Sequence, residues 1–245
     1  MDWDIQPLTA QHHTLYEIIA DSLEEMILTD KVDSQRLPTE HELAAKFGVS
    51  RTVVREALKL LRERGLVKMR AGDGAYTTRP RSSTMSQAMN RLIRFNDLTD
   101  WDVVQIRIIL ECAACELAFE HVGENELQEL TVILNDMIQF KSNLDIRVKK
   151  DCEFHYAIAR FSQNALLAFF VQSINDILYD FMRKRIEYRP TGNDEGIVWH
   201  TRLIECFRTA DANAVSNLMR EHILSSYHQM EYEEDGAKPV IGKLP

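Results

Sequence analysis

Four residues in the C-terminal half of this 245-residue chain have types and spacing that could do chemistry together. Asp151 and His155 stand four apart in "DCEFH", so a helix would place them one turn apart on one face. His200, in "GIVWHTRLIECF", sits one turn before Leu203 and Ile204 on an otherwise apolar stripe, and His222 lies between Met219 and Ile223 in "LMREHILSSY". All three segments have helical spacing, and a bundle core is where side chains from facing helices converge on an ion. Three neutral imidazoles and one carboxylate suit zinc, and equally nickel, manganese or iron. The plainer alternative is a hydrogen-bonded surface pair on a capped helix, with two histidines merely packed, as lone histidines on apolar faces usually are. The residues alone leave both readings open. His12, His13, His41, His121 and His228 are expected at the surface or in ordinary packing.

The elements that must position these groups are mostly helical. Hydrophobic residues make up 45% of the chain and charged ones 27%, enough for one large domain or two small ones, and Gly and Pro are scarce. The start "MDWDIQPLTAQHH" lacks the basic and apolar regions of a signal peptide, and "LLAFFVQSI" breaks off at Asn175 and Asp176 before it could span a bilayer. A cytoplasmic protein without membrane partners is expected. Cys112, Cys115, Cys152 and Cys206 are expected as thiols, and "CAAC" has no second C-x-x-C to complete a four-ligand site. The net charge of −9 excludes a protein that coats nucleic acid over its whole surface. Between Lys46 and Arg70, however, eight basic residues face only Glu56 and Glu63, which suits phosphate contact at one end of the molecule.

That basic stretch has a distinctive order. Leu15, Ile18, Ile19, Leu23, Met26 and Ile27 mark a first helix, followed by the polar connection "TDKVDSQRLP". "TEHELAAKF" opens with a capping box, Thr39 and Glu42, and Gly48 ends it. Ser50 caps a third helix whose buried stripe is Val54, Ala57, Leu58 and Leu61, with Arg51 and Arg55 on another face near its start. A short helix, a tight turn and a helix with basic and small polar residues at its start is helix-turn-helix spacing. "LVKMR", "AGDG" and "AYTT" add a hairpin wing. The competing reading is a generic helical hairpin with a solvated charged face. After the linker "TTRPRSSTMSQ" the spacing predicts helices near 84–95, 101–121, 124–141, 145–162, 164–188, 195–209 and 211–232, with breaks that include "RPTGND", and a capping box at Thr99 and Asp102. The fold class expected is mainly α: a winged helix-turn-helix over 9–79, a linker and connecting helix over 80–100, an all-α bundle of about six to seven helices over 101–232, and a flexible tail over 233–245.

"LPTEHELAAKFGVSRTVVREALKLLRERGLVKMRAGDGAY" closely resembles the DNA-binding domain of GntR-family bacterial transcription regulators. The resemblance implies DNA contacts from Ser50, Arg51, Thr52, Val53 and Arg55, and from Gly72 at the wing. The family usually has a DNA-contacting Arg where this chain has His41, a change that would weaken that contact, make it pH-sensitive or alter the preferred site. "WDVVQIRIILECAACELA", "DCEFHYAIARFSQNALL", "HTRLIECFRTADANAV" and "MREHI" resemble the helical effector domain of the FadR branch, called FCD. Most members of that branch bind one metal ion through an Asp, a His four residues on and two distant His, which implies Asp151, His155, His200 and His222 here, whereas acyl-CoA-binding members lack the set. It also implies that Arg107 faces the metal cavity and forks onto a ligand carboxylate, where the bare residues suggest only an intrahelical pair with Glu111. Asn164 matches a position near the pocket and equally suits a helix cap.

The expectation is therefore a homodimeric, ligand-responsive regulator and a repressor. It would bind a palindromic double-stranded operator, hold one divalent ion per chain (zinc first), and answer to a sugar acid, hydroxy acid or dicarboxylate. A metal-sensing regulator and a metal-dependent hydrolase or lyase are the alternatives. Against the enzyme, Asp151 is used as a ligand, no separate base stands at suitable spacing, and the basic recognition helix has no purpose.

Overall fold

Each of the first helices starts where a side chain can satisfy the free backbone donors of its first turn. The Glu17 carboxylate accepts from the Thr14 backbone N–H at 2.7 Å and opens α1, Leu15–Asp30. The Thr39 and Glu42 capping box forms as expected and opens α2, Glu40–Phe47, which Gly48 ends in the left-handed region at φ 67°. Ser50 Oγ accepts from Val53 N–H and opens α3, Arg51–Glu63. Strands β1, Val67–Arg70, and β2, Gly74–Thr77, pair antiparallel through a three-residue turn in which Gly72 takes φ 74°. No atom lies within 4 Å of the place where a Cβ of residue 72 would stand, so the backbone angle, not space, is what favours glycine there. The computed structural model describes residues 14–31, 33–79, 81–96, 98–186 and 195–234, and these fall into two units divided after Thr84. The expected break at 189–194, the tail from residue 235 and residues 9–13 lie outside the described residues.

In the N-terminal unit Ile19, Ala20 and Leu23 of α1, Leu43 and Ala44 of α2, and Val54, Ala57, Leu58 and Leu61 of α3 form one core, closed by Leu66, Val67 and Ala75. Arg64, beyond the end of α3, binds Asp21 and Glu24 of α1 at 2.6 and 2.5 Å. One feature departs from the sequence expectation. Part of the connection read as merely polar pairs with β2: Thr77 N–H donates to Gln35 O at 2.8 Å and Leu37 N–H to Ala75 O at 2.8 Å. β2 thus lies between β1 and this short edge segment, which is too brief and too polar to show a period-two apolar pattern.

The C-terminal unit contains α4, Ser82–Phe95, counted from Met85; α5, Asp100–Phe119; α6, Glu124–Gln139; α7, Leu144–Phe161; α8, Ala165–Ile186; α9, Glu195–Thr209; and α10, Ala212–Glu234. Thr99 and Asp102 form the expected capping box at α5. α5 packs against α7, α8 and α10, and α6 against α7 and α9. Their shared core runs through Ile108, Cys112 and Cys115 of α5, Leu130 of α6, Phe154 and Ile158 of α7, Leu203 of α9 and Met219 of α10. "CAAC" is accordingly a pair of buried thiols, with Cys112 Sγ donating to Ser216 O, and burial pushes both thiol values up. Ser86 of α4 donates to Ser173 O of α8 at 2.9 Å. Among the described residues no helix is long and apolar enough to cross a membrane.

Leu61 is fully buried where α1, α2 and α3 meet. Leu61→Ala is expected to cost about 2–5 kcal/mol, read as a lower urea midpoint by far-ultraviolet circular dichroism. An unchanged midpoint would show that this side chain does not hold the three helices together.

Candidate metal centre and nucleic-acid interface

α7 carries Asp151 and His155 one turn apart, α9 carries His200 in line with Leu203 and Ile204, and α10 carries His222 beside Ile223. Packing those helices brings the four side chains together. His155 Nε2 is 3.1 Å from His222 Nε2 and 3.3 Å from His200 Nε2. Asp151 Oδ1 is 3.5 Å from His200 Nε2, Asp151 Oδ2 is 4.0 Å from His155 Nε2, and the four ligand atoms lie within 4.8 Å of one another. Ligand atoms about 2.0–2.2 Å from a common ion would stand roughly 2.9–3.5 Å apart, so most of these separations suit a single ion. The set is well formed for that purpose: the histidines are buried, and Asp151 is half-buried. Phe154 stacks on His200 with ring centroids 4.2 Å apart, fixing one imidazole from behind.

Burial keeps two of the imidazoles, His200 and His222, neutral. Burial drives His200 down to about 3 against the opposing pull of Asp151, and burial together with the neighbouring His200 and His155 drives His222 well below its usual value. Neutral imidazole is the form that binds a metal. Beside them Arg107 Nε donates to Glu111 Oε1 at 2.7 Å, with both side chains at most 5% exposed. Glu111 Oε2 stands 2.5 Å from His155 Nδ1. Burial opposes ionisation of Glu111, but Arg107 and then His155 outweigh it and hold the carboxyl at about 2. Among the described residues the two terminal nitrogens of Arg107 make no hydrogen bond. The intrahelical pair suggested by spacing is therefore present, yet buried, and it leaves one edge of the guanidinium free.

Asn164 is spent differently. It is exposed, its Oδ1 accepts from Leu167 N–H at 3.1 Å at the start of α8, and among the described residues no contact joins it to the histidines. Glu111 is the residue that sequence reasoning undervalued. Its i, i+4 spacing to Arg107 was visible, but its approach to His155 depends on how α5 meets α7.

In the N-terminal unit Arg51, Thr52 and Arg55 are exposed on α3, His41 is exposed on α2, and Gly72 is exposed at the wing. Ser50 is committed to capping α3, and Val53 is half-buried against the core. Arg55 reaches back to Glu40 of α2, with Nη2 3.0 Å from Oε2, and that guanidinium holds the Glu40 carboxyl below its usual range. Arg70 of β1 lies over the Tyr76 ring at 4.0 Å. A helix start with exposed basic and hydroxyl side chains can meet phosphates and base edges.

Comparison with known proteins agrees with this division. Residues 15–77 match the family described as bacterial regulatory proteins, gntR family, and residues 102–225 match the FCD domain. The chain is 32% identical over 155 residues to the HTH-type transcriptional regulator LutR of Bacillus subtilis, covering 63% of this chain and 68% of that protein. It is 28% identical over 193 residues to the Uxu operon regulator of Haemophilus influenzae, covering 77% and 71%. It is 26% identical over 225 residues to the HTH-type transcriptional repressor NanR of Escherichia coli, covering 86% and 82%. A Streptococcus agalactiae GntR structure superposes with a TM-score of 0.68 at 25% identity, covering 87% of this chain and 100% of that one.

The burial of His200 has a measurable consequence in the chelated protein. Its folded value, about 3, lies below the ordinary 6.5, so as pH falls through that window the unfolded chain takes up a proton that the folded chain refuses. Stability should therefore fall from pH 7 to pH 5, by up to roughly 1.4 kcal/mol per unit for one such group. His222 acts in the same direction. Equal urea midpoints at pH 7 and pH 5 would contradict the burial of neutral imidazoles.

Proposed function

Because the chain belongs to the GntR family of bacterial regulatory proteins, in the FadR-type branch that carries an FCD domain, we propose that it is a cytoplasmic repressor whose hold on DNA answers to a small carboxylate. It is a transcription regulator and not an enzyme, as are the families and relatives it matches, and the hydrolase or lyase alternative is set aside. One observation carries the effector half of the proposal. Half-buried Asp151 and buried His155, His200 and His222 cluster in the same core as a buried Arg107 whose outer edge is free. One divalent ion held by those four residues, zinc in preference to nickel, manganese or iron, would supply positive charge. Arg107 would fork onto a carboxylate bidentately. Together they make a pocket for a sugar acid, hydroxy acid or dicarboxylate, with Asn164 at most a peripheral contributor.

Residues 9–79 act as the DNA-binding domain in this proposal, 80–100 as the connector, and 101–232 as the effector and dimerisation domain, with 233–245 as a tail. Ser50, Arg51, Thr52, Val53 and Arg55 at the start of α3, His41 on α2 and Gly72 on the wing meet the operator. A two-fold dimer on a palindromic site follows from how helix-turn-helix proteins read half-sites. The apolar outer stripe of α5 supports dimerisation: Ile106, Ile109 and Leu117 are 46%, 62% and 46% exposed. The repressor assignment draws on the relative NanR, which is named as one. A coupling of about 1–3 kcal/mol between carboxylate and operator is enough for regulation.

Thermal unfolding against a panel of carboxylate metabolites, with and without prior chelation, tests the effector half. A metabolite that raises the melting point only in the metal-loaded protein is expected, and Arg107→Lys should keep the metal while losing most of that rise, since lysine cannot fork. If chelation lowers the melting point and no acid raises it, the metal itself is the signal. For the DNA half, Arg55→Ala should cost roughly 1–3 kcal/mol of specific operator binding in an anisotropy titration. Undiminished affinity would remove Arg55 from the interface.

A further inference from the structure

We propose that Glu111 is the residue that positions His155 for the metal, by holding its Nδ1 as the protonated ring nitrogen so that Nε2 faces the cluster; the inference rests on the metal reading above. Three observations carry it. First, the three histidines are not equivalent. Among the described residues none of the three Nδ1 atoms makes a hydrogen bond of regular geometry, but that of His155 alone has a carboxylate oxygen 2.5 Å away, Glu111 Oε2, which has no other partner. Second, His155 is the hub of the cluster, since its Nε2 lies 3.1 Å from that of His222 and 3.3 Å from that of His200. Its tautomer therefore decides whether a lone pair or a proton points at the common centre. Third, Glu111 is itself held. Its other oxygen receives Arg107 Nε at 2.7 Å, one helical turn away on α5, and both side chains are at most 5% exposed.

A carboxylate sealed in an apolar core needs donors for its oxygens, and among the described residues two are in reach: the Arg107 guanidinium and a protonated His155 Nδ1. With the proton on Nδ1, a neutral His155 presents its Nε2 lone pair toward Asp151, His200 and His222. A carboxylate behind a ligating imidazole also raises its basicity and fixes the ring's rotation. The sequence spacing Arg107-x-x-x-Glu111 on α5 and Asp151-x-x-x-His155 on α7, which packs against it, is what makes the chain of contacts continuous. Arg107 then has two tasks on two edges: Nε fixes Glu111, and its terminal nitrogens remain for an anion.

The test uses the full-length protein and Zn2+ alone. Competition against a chromophoric chelator should show Zn2+ bound roughly 10–100-fold more weakly by Glu111→Gln than by the wild type, with Glu111→Asp recovering part of the loss. In the chelated wild type at pH 7, nitrogen-15 correlation spectra should show His155 as the Nδ1–H tautomer, a signature that a purely structural role for Glu111 would not set. Glu111→Gln leaves Arg107 without its charged partner, so if that variant fails to fold, the wild-type tautomer and Glu111→Asp decide. Zn2+ binding by folded Glu111→Gln equal to wild type, or His155 as the Nε2–H tautomer, overturns the assignment and leaves the metal reading intact. A wild-type protein that takes up no Zn2+ in the same titration overturns both.

Discussion

Burying three imidazoles in the apolar centre of a helical bundle imposes a condition on everything around them. In such a medium a charged ring is costly, and rings aimed at one point set lone pairs against each other unless a proton or a cation lies between them. The Nε2 atoms are 3.1 and 3.3 Å apart, close enough for that conflict to matter. Asp151 adds a negative charge at the edge of the group, and Arg107 and Glu111 supply a mutually compensated pair behind it. The interior of the C-terminal unit thus gathers these polar groups at one place, with the ordinary packing of Phe154, Leu203 and Met219 holding the rings.

The N-terminal unit solves a different problem by different means. Its core is plainly apolar, and its polar chemistry is on the outside. Local hydrogen bonds at Thr39 and Ser50 set where α2 and α3 begin, and so which side chains stand at the exposed start of α3. Arg55 does not wave free in solvent; it is drawn back to Glu40, and a phosphate or base edge would have to compete with that carboxylate. The pair is exposed, so solvent already weakens it. An acidic chain carrying one basic face suits a protein that touches DNA with a small part of its surface.

Much of this was written in short-range patterns. The capping boxes at Thr39 and Thr99, the Gly48 stop, the hairpin turn and the spacing of the C-terminal helices are all consequences of chemistry within a few residues, and they appear where the spacing placed them. What escaped was long-range or too weak to pattern. Residues 34–37 joined the hairpin as an edge without any alternation of their own, because a short edge segment is specified by its partner strand. Asn164 suited both a cap and a pocket by its residue type; the structure gives it the cap, with no contact to the histidines among the described residues.

The site divides along the same line. That Asp151 and His155 share a face, and that Arg107 and Glu111 do, follows from 3.6 residues per turn and needs no fold. That His200 and His222 arrive from α9 and α10 to meet them, and that Glu111 comes to stand behind His155, could be set only by how the helices pack. Helical periodicity fixes which side chains point the same way along one element. Where two faces meet is decided by the filling of a common core, a property of every residue in it at once.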